Sequence, residues 1–387
     1  MKKFFALLLA ILTMASTFTG CISAPEDSST PAEPTPPPRI YNPNPFTGYE
    51  KTADFKEGQR AVALMINNVS PCRPQRGISE ASILFESKVE GGITRFMGIF
   101  ENVEDMPVVG PVRSGRDQFL RWAMPMQALY AHVGRSGITQ TYIDTNNYND
   151  MDIDGQRRVF TYRLDRPGKA LEHTAYTDAE TMLKAIEKYE YDMNKTYTSP
   201  LFNFVDYDDN GGRRELNGDA VETISVVHSE VYRTYFDYDA ATGKFMMSQY
   251  NGSKKVKENT IDENTNLQIG FENVFIAFAD IYKYYYPGGG KGDPNYQCVD
   301  MDNGGIGFYF SNGKVEKIRW FKGAPTEALR FTDMDENPLQ VNCGKTYIGF
   351  VDLDEYERFE YAGPAEEIIE EEIDASQAGS ETETEFE

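Results

Sequence analysis

Histidine is scarce in this chain: His132, His173 and His228 are the only three in 387 residues, and they lie far apart in sequence. A histidine-rich metal site is therefore not expected, and no metal ligand set is assigned. Cysteine is scarce as well. None of Cys21, Cys72, Cys298 and Cys343 stands at metal-ligand spacing, and there is no C-x-x-C pair. The G-x-x-x-x-G-K-[ST] phosphate loop, the H-E-x-x-H zinc helix and the G-x-S-x-G nucleophile elbow are all missing, and no cofactor is expected. After the first twenty residues no run is long and apolar enough to cross a bilayer. Positive charge is in deficit, with 38 Lys and Arg against 61 Asp and Glu and a net charge of −23. Such a polyanion repels nucleic acid and anionic headgroups, so nucleic acid is not an expected partner.

The most informative residue present is Cys21. Lys2 and Lys3 precede the apolar run Phe4 to Leu12, and Thr19-Gly20-Cys21 closes it. A positive n-region, an apolar h-region and small residues before a cysteine are the layout of a secretory signal. The pattern resembles a bacterial lipoprotein signal, in which the thiol of Cys21 carries the lipid and residues 1–20 are removed. Phe18 stands where such signals favour an aliphatic residue. The expected location is the outer face of the cytoplasmic membrane, with the lipid as the contact to the membrane. An ordinary secreted protein with an incidental first cysteine is the alternative.

Residues 21–45 are rich in Pro, Ser and Thr and include Pro36-Pro37-Pro38. They bury too little apolar area to fold and read as an extended stalk. Residues 365–387 carry acidic side chains and no basic ones, ending in Glu381-Thr382-Glu383-Thr384-Glu385, which reads as a disordered acidic tail.

Between them the expected fold class is α+β, in two parts: a mixed α/β domain over 46–212 and a smaller β-rich domain with several hairpins over 213–364. Ala61–Ile66, Ile83–Phe85 and Phe96–Phe100 are short apolar runs expected as buried strands. Phe119, Leu120, Ala123 and Met124 share one side of a helix over 115–128, which Pro125 should kink or end. Thr177 to Glu180 has the spacing of a capping box opening the next helix. In the second part Tyr232–Tyr238 with Phe245–Met247, Gly307–Phe310 with Val315–Trp320, and Arg330–Thr332 with Leu339–Val341 read as hairpins. The Asn312-Gly313 turn gives the strongest signal of the three.

The densest chemistry lies in Glu90-Gly91-Gly92-Ile93-Thr94-Arg95 and Val109-Gly110-Pro111-Val112-Arg113-Ser114-Gly115-Arg116. Glycines let a backbone come close to a ligand, and guanidinium forks bind carboxylate, phosphate or hydroxyl groups. Arg95, Arg113, Ser114, Arg116, His132 and Glu90 are the candidate ligand-binding residues, in an anion or glycan cleft. The other reading of the same residues pairs the arginines with Glu86, Glu90 and Asp117 as loop braces. His132, near Ser136, and Glu86 are the weak candidates for general acid–base work. Tyr282, Tyr284, Tyr285 and Tyr286 could form an aromatic platform. Asp150, Asp152 and Asp154 resemble part of a calcium loop without its closing glutamate. Cys298 and Cys343 either pair or, with Cys72, act as small buried hydrophobes.

Several of these segments resemble one known group. Ala63 to Asn68, Arg73-Pro74-Gln75-Arg76-Gly77, Glu90 to Arg95, Val109 to Ser114 with Arg116, and Ala131 to Gly134 with Ser136 are similar to the YerB-like lipoproteins of Gram-positive bacteria. That family is defined by the DUF3048 N-terminal and C-terminal domains. Gly305 to Gly313, Trp320 and Gly344 to Tyr347 carry the likeness through the second half. Glu172-His173-Thr174 departs from the family's usual Pro-His-Asn. The resemblance implies a two-domain envelope lipoprotein and brings no established reaction. The expected function is binding or scaffolding in the cell envelope, with an envelope glycan or protein as partner. The alternative is an envelope hydrolase or transferase using His132, with Arg95, Arg113 and Arg116 as a substrate clamp.

Overall fold

A computed structural model describes residues 41–151, 157–196, 200–208, 210–284 and 295–364. The proposed signal, Cys21, the stalk up to residue 40 and the acidic tail lie outside them, as do Asp152, Asp154, Tyr285 and Tyr286.

The central element is a nine-stranded sheet. Across it the strands run Leu329–Thr332, Lys314–Lys322, Gly305–Ser311, Asn273–Ala279, Thr346–Asp352, Ile83–Lys88, Thr94–Phe100, Val62–Asn67 and Leu129–Ala131. All six residues of Val62–Asn67 are buried. Val62, Leu64 and Ile66 enter one apolar cluster, and Ala63 and Met65 enter another. Alternation along a strand sends neighbours to opposite faces, so an unbroken apolar run marks a sheet covered on both.

One cover is a six-stranded sheet built around Thr223–Val227, Arg233–Asp239 and Lys244–Asn251. Ile224, Val226, Phe236, Phe245 and Met247 from it join Val62, Leu64 and Tyr347 in one cluster. The other cover includes the helix Asp117–Ala123, whose Phe119, Leu120 and Trp122 are buried. The Trp122 ring stacks on Phe350 at 4.4 Å and on Phe85 at 5.2 Å between centroids. The helix passes at Met124 into a short 3-10 turn that contains Pro125, the break expected of a proline without an N–H.

The expected boundary at 212/213 is not a break in the sheet. Ile83–Ser87 pair in parallel with Thr346–Phe350, so strands from the two halves are neighbours at its centre, and the described residues form one compact unit. Two local expectations change. Asp178, not Thr177, caps the helix Ala179–Lys188, accepting from the Thr181 N–H at 2.8 Å. The third hairpin is shorter than expected: the chain turns at Asp333 to Asn337, Pro338 bridges Thr332, and the Leu339 N–H donates to the Phe331 carbonyl at 3.1 Å. Beyond Leu339 the chain leaves that edge, and Gln340–Val341 pair in parallel with Asn203–Phe204. The first two hairpins form as expected, between Arg233–Asp239 and Lys244–Asn251 and between Gly305–Ser311 and Lys314–Lys322. Cys72, Cys298 and Cys343 are free thiols.

Candidate functional site

Two neighbouring glycines set the arginine region. Gly91 and Gly92 both hold φ of +71°, a left-handed conformation costly for residues with a Cβ. The turn they make between Ile83–Lys88 and Thr94–Phe100 carries Glu90. Arg116 donates to Glu90 through Nε and, at 2.9 Å, through a second guanidinium nitrogen. The Arg95 guanidinium lies 3.8 Å from the same carboxylate and donates to the Ser114 carbonyl at 2.6 Å. Burial, then repulsion from Arg116 and Arg113, hold Arg95 below the usual guanidinium range. Burial pushes the Glu90 carboxyl up, but the hydrogen bonds and charge of Arg116 outweigh it and the net shift is downward. Arg113 stands apart, paired with Glu172 at 2.7 Å, with side chains 28% and 50% exposed.

Thus each of the three arginines has a carboxylate partner. The helix start they flank is also occupied: the Arg116 N–H donates to the Tyr130 hydroxyl at 3.0 Å, and the Asp117 N–H to the Tyr296 hydroxyl at 3.2 Å. Three cavities of about 610, 660 and 620 Å³ are lined by other residues.

His132 is fully buried under this region. Its Nδ1 lies 3.0 Å from the Gly134 carbonyl and its Nε2 2.9 Å from Asp150. Burial pushes its pKa down, against the pull of Asp150. A Cβ on Gly115 would stand 3.0 Å from the ring, so glycine permits this approach. The nearby serines point elsewhere. Ser114 donates to the Val133 carbonyl at 2.9 Å, and Ser136 caps the helix Gly137–Thr145. Both ring nitrogens therefore face partners other than a nucleophile, whereas general-base catalysis needs a nitrogen within reach of the attacking hydroxyl.

Glu86 is 1% exposed. Its carboxylate accepts from Asn68 Nδ2 at 3.0 Å, Thr94 Oγ1 at 2.6 Å, Thr234 Oγ1 at 2.8 Å and the Tyr347 hydroxyl at 2.7 Å. Burial, and then the charge of Glu86, push the Tyr347 hydroxyl well above its ordinary pKa, so it remains a donor. These donors come from both sheets and both halves of the chain, and the enclosed carboxylate works as a structural hub.

The approximately 660 Å³ cavity was not visible in the sequence. Ser70, Arg73, Gln75 and Lys169 line it from the first half, and Gln249, Lys254 and Thr260 from the second. Its polar atoms are unusual in their lack of partners. Among the described residues Arg73 Nε, Gln75 Oε1, Gln249 Oε1 and Thr260 Oγ1 are buried without a hydrogen bond, a state native proteins seldom leave unexplained. The Arg73-Pro74-Gln75 segment was noticed only as part of a family pattern. Gln249 and Thr260 gave no signal, because polar residues among polar neighbours read as solvent-facing.

Among the described residues no group of three or more His, Cys, Asp or Glu is placed to hold a metal, and no helix is long and apolar enough to cross a membrane. Tyr282 and Tyr284 lie partly exposed on one short strand, Ile281–Tyr284.

Comparison with known proteins agrees with the sequence pattern. Residues 46–192 match the family described as "Protein of unknown function (DUF3048) N-terminal domain", and residues 223–348 match its "C-terminal domain" counterpart. A relative named "Putative lipoprotein YerB", from Bacillus subtilis (strain 168), is 28% identical over 323 residues, covering 80% of this chain and 86% of the relative. The crystal structure of the YerB protein from Bacillus subtilis superimposes with a TM-score of 0.67 at 24% identity, over 83% of this chain and 99% of that one. The two family segments divide the sequence near the expected boundary, although the sheet continues across it.

Proposed function

The chain belongs to the DUF3048 family, and on that premise we propose that it is a lipid-anchored lipoprotein on the outer face of the cytoplasmic membrane. There it binds a component of the cell envelope without transforming it. The anchor rests on the Lys2-to-Cys21 pattern and on the relative's description as a lipoprotein.

One observation carries the preference for binding over catalysis: the candidate acid–base groups are already engaged. His132 spends both ring nitrogens on Gly134 and Asp150, and Glu86 is enclosed by four donors. Glu90 is held by Arg116 and Arg95. Arg113 is the arginine of the cluster with the most exposed pair, and it is the one able to exchange Glu172 for an anionic or glycan group of the envelope.

The test is chemical. The lipid-free Cys21→Ser chain is incubated with isolated envelope, and the soluble fraction is followed by mass spectrometry against a His132→Ala control. Retention of the chain on the envelope with no new fragments is the expected result. Fragments that accumulate with the Cys21→Ser chain and disappear when His132 is also replaced would establish the hydrolase or transferase reading instead.

A further inference from the structure

The strand Val256–Asn259 is the outermost of the six-stranded sheet: it pairs with Lys244–Asn251 on one side and, among the described residues, with no strand on the other. One ladder bond fixes which of its main-chain groups face outward. The Thr260 N–H donates to the Met247 carbonyl at 3.0 Å, one residue beyond the facing pair Ser248 and Asn259. That pair is therefore of the kind whose members exchange no main-chain bonds, and the two kinds alternate along an antiparallel ladder. Lys257, opposite Tyr250, has the same phase as Asn259. The N–H and C=O groups of Lys257 and Asn259 thus point away from the sheet, both residues are exposed, and among the described residues nothing bonds these four groups. Such an edge is a template for another strand.

What lies beside the edge selects the strand. Glu258, Asn259 and Thr260 line the approximately 660 Å³ cavity together with Arg73, Lys169 and Lys254. The Lys254 side chain is 68% exposed and pairs at 2.8 Å with Glu258, itself 35% exposed. Arg73 and Lys169 have no carboxylate partner among the described residues. Arg73 donates to the Asn68 and Tyr250 carbonyls at 2.9 and 3.0 Å, and Lys169 to the Arg73 carbonyl at 3.2 Å and to that of Pro71. The lining thus carries three cations, Arg73, Lys169 and Lys254, against the single carboxylate of Glu258. That reverses the balance of the chain, in which 61 acidic side chains outnumber 38 basic ones. Lysines on an edge discourage neutral strands from pairing, and the same charges favour a strand that carries carboxylates. A small anion would meet the cations and leave the outward main-chain groups unpaired, whereas an extended acidic peptide meets both.

We propose that this edge and cavity dock an extended acidic segment of a partner polypeptide as a further strand. Main-chain bonds to Lys257 and Asn259 hold it in register. Every second side chain faces the cavity, and carboxylates at those positions meet Arg73, Lys169 and Lys254. Arg113 is not among the residues that line the cavity, so the proposal goes beyond envelope binding and stands or falls without it.

The test uses the purified full chain with Cys21→Ser and, as probe, a short blocked peptide alternating glutamate with threonine. Calorimetry should show saturable binding that weakens as salt rises. Amide hydrogen exchange across Val256–Asn259 should slow when the peptide is present. A peptide with lysine in place of glutamate should not bind, nor should one of unchanged charge with proline at its centre, which cannot continue the ladder. Lys254→Glu reverses an exposed charge and should weaken binding at least about tenfold with Tm little changed. Asn259→Pro removes an outward N–H that the sheet does not use, along with a 3.3 Å side-chain bond to Ser248. It should weaken binding by a similar factor, measured below that variant's own Tm. The proposal is overturned if the acidic peptide does not bind, if both variants bind it as the parent does, or if exchange across Val256–Asn259 is unmoved. Equal binding of the proline peptide would make the cavity a simple anion site and overturn it as well. Slow exchange across Val256–Asn259 in the chain alone, unmoved by added peptide, would assign the edge to a segment of this chain rather than to a partner, and is equally a refutation.

Discussion

Asn68 and Glu86, both closed off from solvent, are joined by a 3.0 Å hydrogen bond that connects the centre of the large sheet to the wall of the polar cavity. Through it a structural carboxylate on Ile83–Lys88 orients Asn68, whose Oδ1 accepts from the Gln75 and Gln249 amides at 3.0 Å each. Glu86 therefore ties the large sheet to the second sheet through Thr234, and replacing it tests that tie.

Glu86→Ala leaves Thr94, Thr234 and Tyr347 without their acceptor, and Asn68 Nδ2 with Thr94 Oγ1 alone. Unsatisfied buried donors cost about 1–3 kcal/mol each, and water entering the space recovers part of that. A net loss of roughly 3 kcal/mol or more is expected, read as a lower urea midpoint. An unchanged midpoint would mean that the hub does not hold the sheets together.

The arginines should separate into brace and surface. Arg116→Ala removes the main partner of Glu90, in a pair where both side chains are 11% exposed. Breaking such a pair is expected to cost about 3 kcal/mol. Arg113→Ala breaks a partly exposed pair with Glu172 and should cost under ~1 kcal/mol. Thermal melts of the two variants make the comparison, and equal drops would contradict it.

His228 predicts an acid-sensitive term. It is fully buried, neither ring nitrogen has a hydrogen bond among the described residues, and Glu86 lies 3.6 Å away. Burial holds its pKa below the ordinary 6.5, against the pull of Glu86 and Glu355 and with repulsion from Lys88. The unfolded chain therefore takes the proton first as pH falls. This contribution is complete above about pH 6.5 and is lost progressively below it, by up to ~1.4 kcal/mol per pH unit. Denaturant melts between pH 7 and 5 should show a steeper loss for the parent than for His228→Leu. Parallel curves would contradict the assignment.

Residues 46–212 expressed alone should not give a cooperative fold, because the Ile83–Lys88 strand would lose Thr346–Asp352 and expose a bare apolar edge. A dispersed amide spectrum and a sharp melt from that fragment would show that the halves fold independently.

How much was legible in the sequence depended on how local the signal was. Ala61–Ile66 read as a buried strand because its apolar run is unbroken, and Pro125 marked the helix end because proline lacks an N–H. The Asn312-Gly313 turn gave its hairpin for the same kind of local reason. Glu90 is legible as an arginine partner because it shares a glycine turn with Arg95, and it lies between Arg95 and Arg116. The joining of the halves left no such trace. Glu86 and Tyr347 meet across 261 residues, and Asn68 and Gln249 across 181; neither contact has a period or turn that announces it. The cavity combines both distances, so its residues were individually unremarkable.

The central claim is that the protein binds envelope material, and co-sedimentation tests it most directly. The lipid-free Cys21→Ser chain is mixed with isolated envelope sacculi and membranes, and the bound fraction is measured against concentration for the parent and for Arg113→Ala. Saturable retention that is weaker for Arg113→Ala, with its Tm lowered only slightly, is the predicted result. A chain that stays in the supernatant at every concentration would contradict it.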